Sequence, residues 1–299
     1  MTPTSSTWLQ VKVATSPDRA GVIEEALNGA GALSVTLEDA GEMPLLEPEP
    51  GTMPLWHATR LIALFDGGAD RGRIRDALAD VAEGGAATPE FESLADRDWT
   101  RVWMDDWEPL RFGRRLWVAP LEAEIEEAGA VIARLDPGMA FGTGTHPSTA
   151  LCLEWLDGLA LTGERVLDYG CGSGILAIAA LLLGAQSAHA IDIDPQALEA
   201  TRANAATNGV LAAVTTGEPE ELAGDGFGAV VANILAGPLV QAAGTLAACQ
   251  PVGGRIALAG ILAEQAEDVR AAYAPWYDLA LTSEREEWIL LTGVKRRDD

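Results

Sequence analysis

The chain is short of cysteine, of basic residues and of long apolar runs, and each shortage excludes a class of protein. It has only three cysteines in 299 residues, at Cys152, Cys171 and Cys249. Such an odd, widely spaced set predicts neither a disulfide framework nor a paired metal motif, so we expect no metal site and a cytoplasmic location. No run of 18 apolar residues occurs, so no membrane span is expected. The first residues also lack the basic patch and apolar core of a secretory signal.

Acidic residues outnumber basic ones by 45 to 20, which gives a formal net charge of −25. A protein that binds nucleic acid directly normally presents a basic face, so this charge disfavours a nucleic-acid partner. Two interpretations stay open. The charge either keeps the protein dissolved or attracts a basic partner and speeds their encounter.

The first 98 residues alternate between strand and helix patterns in the order β-α-β-β-α-β. The first helix pattern begins with Ser16 as a cap and Pro17 in its first turn. This order is typical of a small ferredoxin-like α+β domain. Because the segment contains no cluster of candidate catalytic residues, we expect residues 1–98 to recognise a substrate.

Residues 99–125 are predicted to be an interdomain linker, and they are rich in tryptophan. Trp99, Trp103 and Trp107 are spaced four residues apart, which places them on one face of a helix. We favour a helix that packs its apolar side against a core. An aromatic surface for a partner is the alternative.

Residues 126–299 repeat a strand–helix unit, which predicts a parallel sheet with helices on both faces. The last two strand patterns are joined by a short polar turn, so they are expected to form an antiparallel hairpin at the sheet edge. This α/β layout, a Rossmann-like sheet of seven strands, resembles that of class I methyltransferases.

The sequence VLDYGCGSGILAIAA predicts a strand that turns into a helix through glycines, among them Gly170 and Gly172. Glycine allows a sharp turn and a close approach to a ligand. A dinucleotide site needs Gly-x-Gly-x-x-Gly, and here Ile175 stands where the third glycine belongs. Asp168, just before the turn, repels a pyrophosphate and suits a cationic group such as the amino group of a methionyl moiety.

A second acid, Asp192, follows Gly170 by 22 residues, at the end of the next strand pattern. A carboxylate in that position accepts hydrogen bonds from both ribose hydroxyls. The two acids suit a ligand that carries a cationic group and a ribose but no phosphate. S-adenosylmethionine has an ammonium, a sulfonium and a ribose without phosphate, so it is the indicated cofactor.

Asn233 follows the fourth strand pattern of this region, at the edge of the sheet where α/β proteins bind ligands. Its side-chain carbonyl accepts a hydrogen bond from an attacking amine and aims the nitrogen lone pair at a methyl group. An amide is no base at neutral pH, so the proton must pass to solvent. The alternative is that Asn233 caps the helix that follows.

Other candidates are assigned no chemistry. His57, His146 and His189 occur in contexts typical of structural hydrogen bonds, and nothing pairs with His146 at metal-ligand spacing. Cys171 lies inside the glycine turn, so it is expected near the cofactor but not as a nucleophile. The loop AFGTGTHPST (140–149) is rich in glycine but lacks the lysine of a phosphate-binding loop.

Four segments, taken in order, resemble the PrmA family, the methyltransferases of large-subunit ribosomal protein eleven. They are DPGMAFGTGTHPSTALCLEWL, VLDYGCGSGILAIAA, IDIDPQALEATRANAATNGV and VVANILAGPL. The resemblance implies methyl transfer to lysine ε-amines and to the N-terminal α-amine of that basic protein, with the smaller domain gripping the substrate. It also implies cofactor contacts at Thr149, Gly170, Asp192 and Asn233, and a loop at 140–149 that closes over the methionine end of the cofactor.

Two alternatives of function stay open. One is a methyltransferase of another protein or of a nucleobase amine, although the segment after Asn233 (Ile-Leu-Ala) lacks an aromatic residue to stack on a base. The other is a cofactor-binding adaptor without turnover. Nothing in the sequence demands more than a monomer.

Overall fold

A computed structural model describes the chain in six stretches, residues 7–39, 59–81, 88–95, 108–135, 146–222 and 226–297. The chain divides into two compact units, Met1–Trp99 and Thr100–Asp299. Within the described stretches, no helix combines the length and the apolar character that a membrane crossing requires.

The N-terminal unit contains an antiparallel sheet of four strands in the order β2-β3-β1-β4. Its elements run β1 (Thr7–Thr15), α1 (Pro17–Ala30), β2 (Ser34–Asp39), β3 (Thr59–Asp66), α2 (Arg71–Asp80) and β4 (Glu90–Ala95). This β-α-β-β-α-β order is the one that the sequence pattern predicts.

Alternation along the central strands builds the core of this unit. In β1 the alternate residues Leu9, Val11 and Val13 are fully buried. They belong to the same apolar core as buried residues of both helices. This period of two is what a strand with one covered face requires. At the start of α2, Asp70 caps the helix by accepting hydrogen bonds from the N–H groups of Gly72 and Arg73.

The C-terminal unit is built on a sheet of seven strands in the order β10-β9-β8-β11-β12-β14-β13. These strands are β8 (Arg165–Tyr169), β9 (Ser187–Ile191), β10 (Val214–Gly217), β11 (Ala229–Asn233), β12 (Arg255–Leu262), β13 (Ala280–Arg285) and β14 (Trp288–Val294). The first five strands in that order pair in parallel, and β14 pairs antiparallel with both of its neighbours. The predicted α/β class, with a terminal hairpin at the sheet edge, is confirmed.

Five helices of this unit lie among the described residues: α3 (Pro147–Asp157), α4 (Ile175–Leu182), α5 (Pro195–Thr207), α6 (Ala236–Ala248) and α7 (Ala266–Tyr273). In α4 every residue from Ile175 to Leu181 is buried, as expected for a helix packed deep against a parallel sheet. The helix that follows the glycine turn is therefore buried over almost its whole length.

Part of the segment predicted as a linker, residues 99–125, lies among the described residues. Residues 110–120 form β5 (Leu110–Phe112) and β6 (Leu116–Pro120), which make a small sheet with β7 (Val131–Leu135). Their apolar side chains are buried in the same core as α3 and α4, so this part belongs to the C-terminal unit. The three tryptophans of the predicted linker helix, at 99, 103 and 107, lie outside the described residues.

A buried carboxylate fastens the β5–β6 turn to the end of α3. Asp157 Oδ2 accepts hydrogen bonds from the backbone N–H groups of Arg114 at 2.5 Å and Arg115 at 3.3 Å. The Arg115 Nε adds a contact of 3.3 Å to Oδ1. Only 6% of Asp157 is exposed, so losing this acceptor leaves buried donors unpaired.

We expect Asp157→Ala to lower the free energy of unfolding by about 2 kcal/mol, because buried backbone donors lose their partner. Urea denaturation measures this change. Glu154→Gln on the same helix is the control, since its ion pair with Arg285 is part-exposed and such pairs contribute about 0–1 kcal/mol. Equal losses for the two variants would contradict the anchoring role of Asp157.

Candidate active site

Residues predicted separately from the sequence meet at the carboxyl edge of the large sheet. Gly170 follows β8, Asp192 follows β9 and Asn233 ends β11, and β8 lies between the other two strands. Parallel strands present their carboxyl ends along one edge, where α/β proteins bind ligands. The strand order therefore gathers the glycine turn, the acid and the amide.

Gly170 begins the turn in the left-handed region, with φ of +81°. Its N–H donates to the Ile191 carbonyl at 2.8 Å, and a Cβ at this position would collide with the side chain of Ile234. Both the conformation and the lack of space require glycine here. The turn is therefore held against the end of β9.

The Asp192 carboxylate is already oriented by backbone donors. Its Oδ2 accepts from the Gly172 N–H at 2.9 Å, and its Oδ1 accepts from the Asp194 N–H at 3.0 Å. Since each carboxylate oxygen has two lone pairs, both keep the capacity to accept from a ligand. The next residue, Ile193, is 81% exposed and gives the acid an apolar neighbour.

A cavity of about 690 Å³ opens at this edge, and Gly170, Gly172 and Asp192 line it. Its walls are largely apolar, with Ile193, Pro219, Ile234 and Leu235 among them. Apolar walls with a few oriented polar groups are typical of a small-molecule site. A carboxylate beside apolar side chains suits the ribose and base of a nucleoside and disfavours a phosphate.

Asp168 is fully buried behind the turn and is not a wall residue of this cavity. Its Oδ2 accepts from the Ala177 N–H of α4 at 3.0 Å, and its Oδ1 has no partner among the described residues. Burial raises the pKa of this carboxyl to about 7, and the nearby Asp192 carboxylate adds to the shift. From this position beneath the turn, the carboxylate favours positive charge above it. Its contact with a cationic ligand, expected from the sequence, stays a prediction.

Asn233 and Thr149, which are 84 residues apart in the sequence, are joined by a hydrogen bond. The Asn233 Nδ2 donates to Thr149 Oγ1 at 3.0 Å, and Thr149 is buried in the first turn of α3. With the NH₂ group bound to Thr149, the amide carbonyl is directed away as a hydrogen-bond acceptor. Helix α6 has Leu235 in its cap position, so the alternative that Asn233 caps this helix is wrong.

His146 caps α3, three residues before Thr149. Its Nδ1 accepts from the Ser148 N–H at 3.3 Å and lies 2.7 Å from Ser148 Oγ, and its ring meets Trp288 edge-on at 4.8 Å. These contacts are those of a structural residue. His57 lies outside the described residues.

Two other candidates also have structural surroundings. His189 Nδ1 lies 2.5 Å from Thr215 Oγ1, and burial lowers its pKa. Burial likewise raises the pKa of the Cys171 thiol, which does not favour a nucleophile. Within the described part of the chain, no group of His, Cys, Asp or Glu is arranged to hold a metal ion.

Sequence reasoning missed two buried polar residues of α5, Thr201 and Asn204. Both contact carbonyl groups of the glycine turn. Their only signal in the sequence is a spacing of three within an alanine-rich helix, which places them on one face. Without the structure, the same spacing fits a solvated surface equally well.

The sheet order and the cavity together define a class I methyltransferase that uses S-adenosylmethionine. One antiparallel strand, β14, is inserted between two strands that run with the rest of the sheet. The cavity offers an acid for a ribose, apolar walls for a base and a buried carboxylate oxygen behind the turn. These features fit the donor that the sequence predicts.

Comparisons with known proteins identify the family. The model of the family described as ribosomal protein L11 methyltransferase (PrmA) matches residues 7–296. The chain is 53% identical over 292 residues to the ribosomal protein L11 methyltransferase of Pseudomonas aeruginosa (strain LESB58), covering 97% of this chain and 99% of the relative. It is also 53% identical over 290 residues to that of Azotobacter vinelandii (strain DJ), with the same shares covered.

A solved structure agrees with these sequence matches. The ribosomal protein L11 methylase of Lactobacillus delbrueckii subsp. bulgaricus superposes with a TM-score of 0.59 at 30% identity, over 64% of this chain and 100% of that one. The chain belongs to the ribosomal protein L11 methyltransferase family. The family and the cofactor predicted from the sequence are thereby confirmed.

The raised pKa of Asp168 predicts how stability depends on pH. The carboxyl titrates near its ordinary value of 3.8 when unfolded and at about 7 when folded, so between those values only the folded state keeps the proton. The stability contributed by neutral Asp168 is present below about pH 4 and is lost as pH rises through 7, by a few kcal/mol in all.

Asp168→Asn, a neutral side chain of the same shape, should remove this part of the pH dependence. Urea unfolding of both proteins at several values from pH 4 to pH 8 measures the difference. We expect the variant to gain stability relative to the parent as pH rises. A constant difference between the two proteins across that range would show that Asp168 keeps an ordinary pKa.

Proposed function

We propose that this enzyme transfers methyl groups from S-adenosylmethionine to lysine ε-amines and to the N-terminal α-amine of ribosomal protein L11. The family supports the reaction and the substrate protein. The observation that supports an amine as the methyl acceptor is the Thr149–Asn233 pair, which leaves the Asn233 carbonyl to accept an N–H. A carbonyl acceptor suits an uncharged amine.

The residues that hold the cofactor follow from the cavity. Asp192, with both oxygens oriented by backbone donors, accepts hydrogen bonds from the ribose hydroxyls. Gly170 lets the methionine end approach the backbone closely, and Gly172 keeps Asp192 in place. The Asp168 carboxylate beneath the turn offsets the positive charge of the ammonium. Ile193 covers the base.

Methyl transfer to an amine depends on orientation more than on acid or base catalysis. When bound, the donor supplies an electrophilic methyl group whose leaving group is a neutral thioether. The amine must present its lone pair in line, and Asn233 sets this orientation by accepting one N–H. Thr149 fixes the Asn233 amide from the other side. The proton released from the amine passes to solvent.

The two units divide the work in this proposal. Residues 1–98 recognise the substrate protein, and residues 126–299 carry out the transfer. The net charge of −25 attracts a basic ribosomal protein. The enzyme acts as a monomer in the cytoplasm, where ribosomes are made, and makes no direct contact with nucleic acid.

Intact-mass measurements on three forms of L11 test this function: unmodified protein, protein with an acetylated N-terminus, and protein with acetylated lysines. With S-adenosylmethionine present, we expect one-methyl mass steps on all three forms, with fewer steps on each blocked form. Steps absent from all three would contradict the proposal. One-methyl mass steps on ribosomal RNA or on another protein would show that the enzyme acts on one of the alternative substrates.

Asn233→Ala is expected to lower kcat about 100-fold with L11, because the amine loses its orienting acceptor. The KM for L11 should change little, since the proposed recognition surface lies in the other unit. Steady-state kinetics with saturating cofactor measure both constants, and Glu199→Gln, an exposed change on α5, is the control. An unchanged kcat in the Asn233 variant would rule out the positioning role.

A further inference from the structure

Helix α5 presents two buried polar side chains to the cofactor turn. Thr201 is fully buried and Asn204 is 5% exposed. The Thr201 hydroxyl donates to the Gly172 carbonyl at 3.1 Å, and the Asn204 amide donates to the Ser173 carbonyl at 2.9 Å. One helix therefore binds two successive carbonyl groups of the turn.

These two carbonyls lie outside the hydrogen-bond ladder of α4. The helix ladder begins at the Gly174 carbonyl, which accepts from the Ile178 N–H at 2.9 Å. The Ala177 N–H, which in a longer helix would bond to Ser173, donates to Asp168 instead. Side chains of α5 thus supply the partners that secondary structure does not.

The contact between Thr201 and the turn is also close in space. A Cβ on Gly174 would lie 2.7 Å from both Oγ1 and Cγ2 of Thr201. The Thr201 side chain therefore packs directly on the backbone of the turn. Its hydroxyl is additionally 3.4 Å from the Cys171 thiol.

We propose that Thr201 and Asn204 are positioning residues for cofactor binding, an inference that rests on the proposed use of this cavity for S-adenosylmethionine. A peptide unit is planar, so fixing a carbonyl fixes the N–H on its other side. By binding the Gly172 and Ser173 carbonyls, the two side chains set the tilt of both peptide planes. These planes carry the N–H groups of Ser173 and Gly174, so the two side chains hold Gly172 from its carbonyl side, next to its own N–H, which orients Asp192.

Asn208, the residue that follows the last residue of α5, offers a matched control. The Asn208 side chain donates to the carbonyls of Asn204 at 2.8 Å and Arg134 at 2.6 Å, and it accepts from the Arg134 N–H at 2.7 Å. Asn208 thus ties the end of α5 to β7 without contacting the turn. Its removal tests what a loss of stability alone does to cofactor binding.

Titration calorimetry with S-adenosylmethionine and S-adenosylhomocysteine tests the proposal on Thr201→Val, Thr201→Ser and Asn208→Ala. Valine keeps the shape and removes the hydroxyl, so we expect both dissociation constants to rise about tenfold, the effect of one lost hydrogen bond. Serine keeps the hydroxyl and should stay within about twofold. Asn208→Ala should lower Tm and leave both constants within about twofold.

Kinetics separate positioning from general damage. Thr201→Val should raise the KM for the cofactor by the same factor and leave the KM for the protein substrate unchanged. Parental affinity in Thr201→Val, or an equal loss in Asn208→Ala, would overturn the inference and leave the proposed function intact. Failure of the parent protein to bind S-adenosylmethionine would overturn both.

Discussion

The parallel pairing of β8 with β9 and β11 is the constraint on which the site depends. The register sets Tyr169 opposite Ile191 on one side and Ala232 on the other, so all three strands end at nearly the same level. The glycine turn and Asp192 then line one cavity, and Asn233, 63 residues after Gly170, ends its strand at the same edge of the sheet. Loop chemistry alone cannot produce this convergence, because only the sheet fixes the distances between the turn, the acid and the amide.

Two carboxylates beside the same turn take different roles because their surroundings differ. Asp192 is half-buried and accepts from two backbone donors, whereas Asp168 is fully buried and accepts from one. In the proposed function, their combined charge favours a ligand with an ammonium and a sulfonium over one with a pyrophosphate. The same charge destabilises the protein without ligand, so the cofactor is expected to stabilise the turn as well as react there.

Much of this site could be predicted because its chemistry is local. A glycine turn between a strand and a helix, an acid after the next strand and Asn233 after the fourth are visible as short patterns. The burial of Asp168 could not be predicted, because the end of a strand pattern indicates where the chain turns but not how deeply a side chain is buried. The bond from Asn233 to Thr149 and the role of Thr201 depend on packing between distant segments. Strands within residues 110–120 were not predicted, because runs of three and five residues are too short to show a clear alternation.

Calorimetric titration of the purified protein with S-adenosylmethionine and, separately, with NAD⁺ tests the central claim most directly. We expect one binding site for S-adenosylmethionine and no binding of NAD⁺. Asp192→Asn should raise the dissociation constant for S-adenosylmethionine at least about tenfold, because the site loses a charged hydrogen-bond acceptor. Binding of NAD⁺ in the same cavity, or full affinity for S-adenosylmethionine without the Asp192 carboxylate, would contradict this claim.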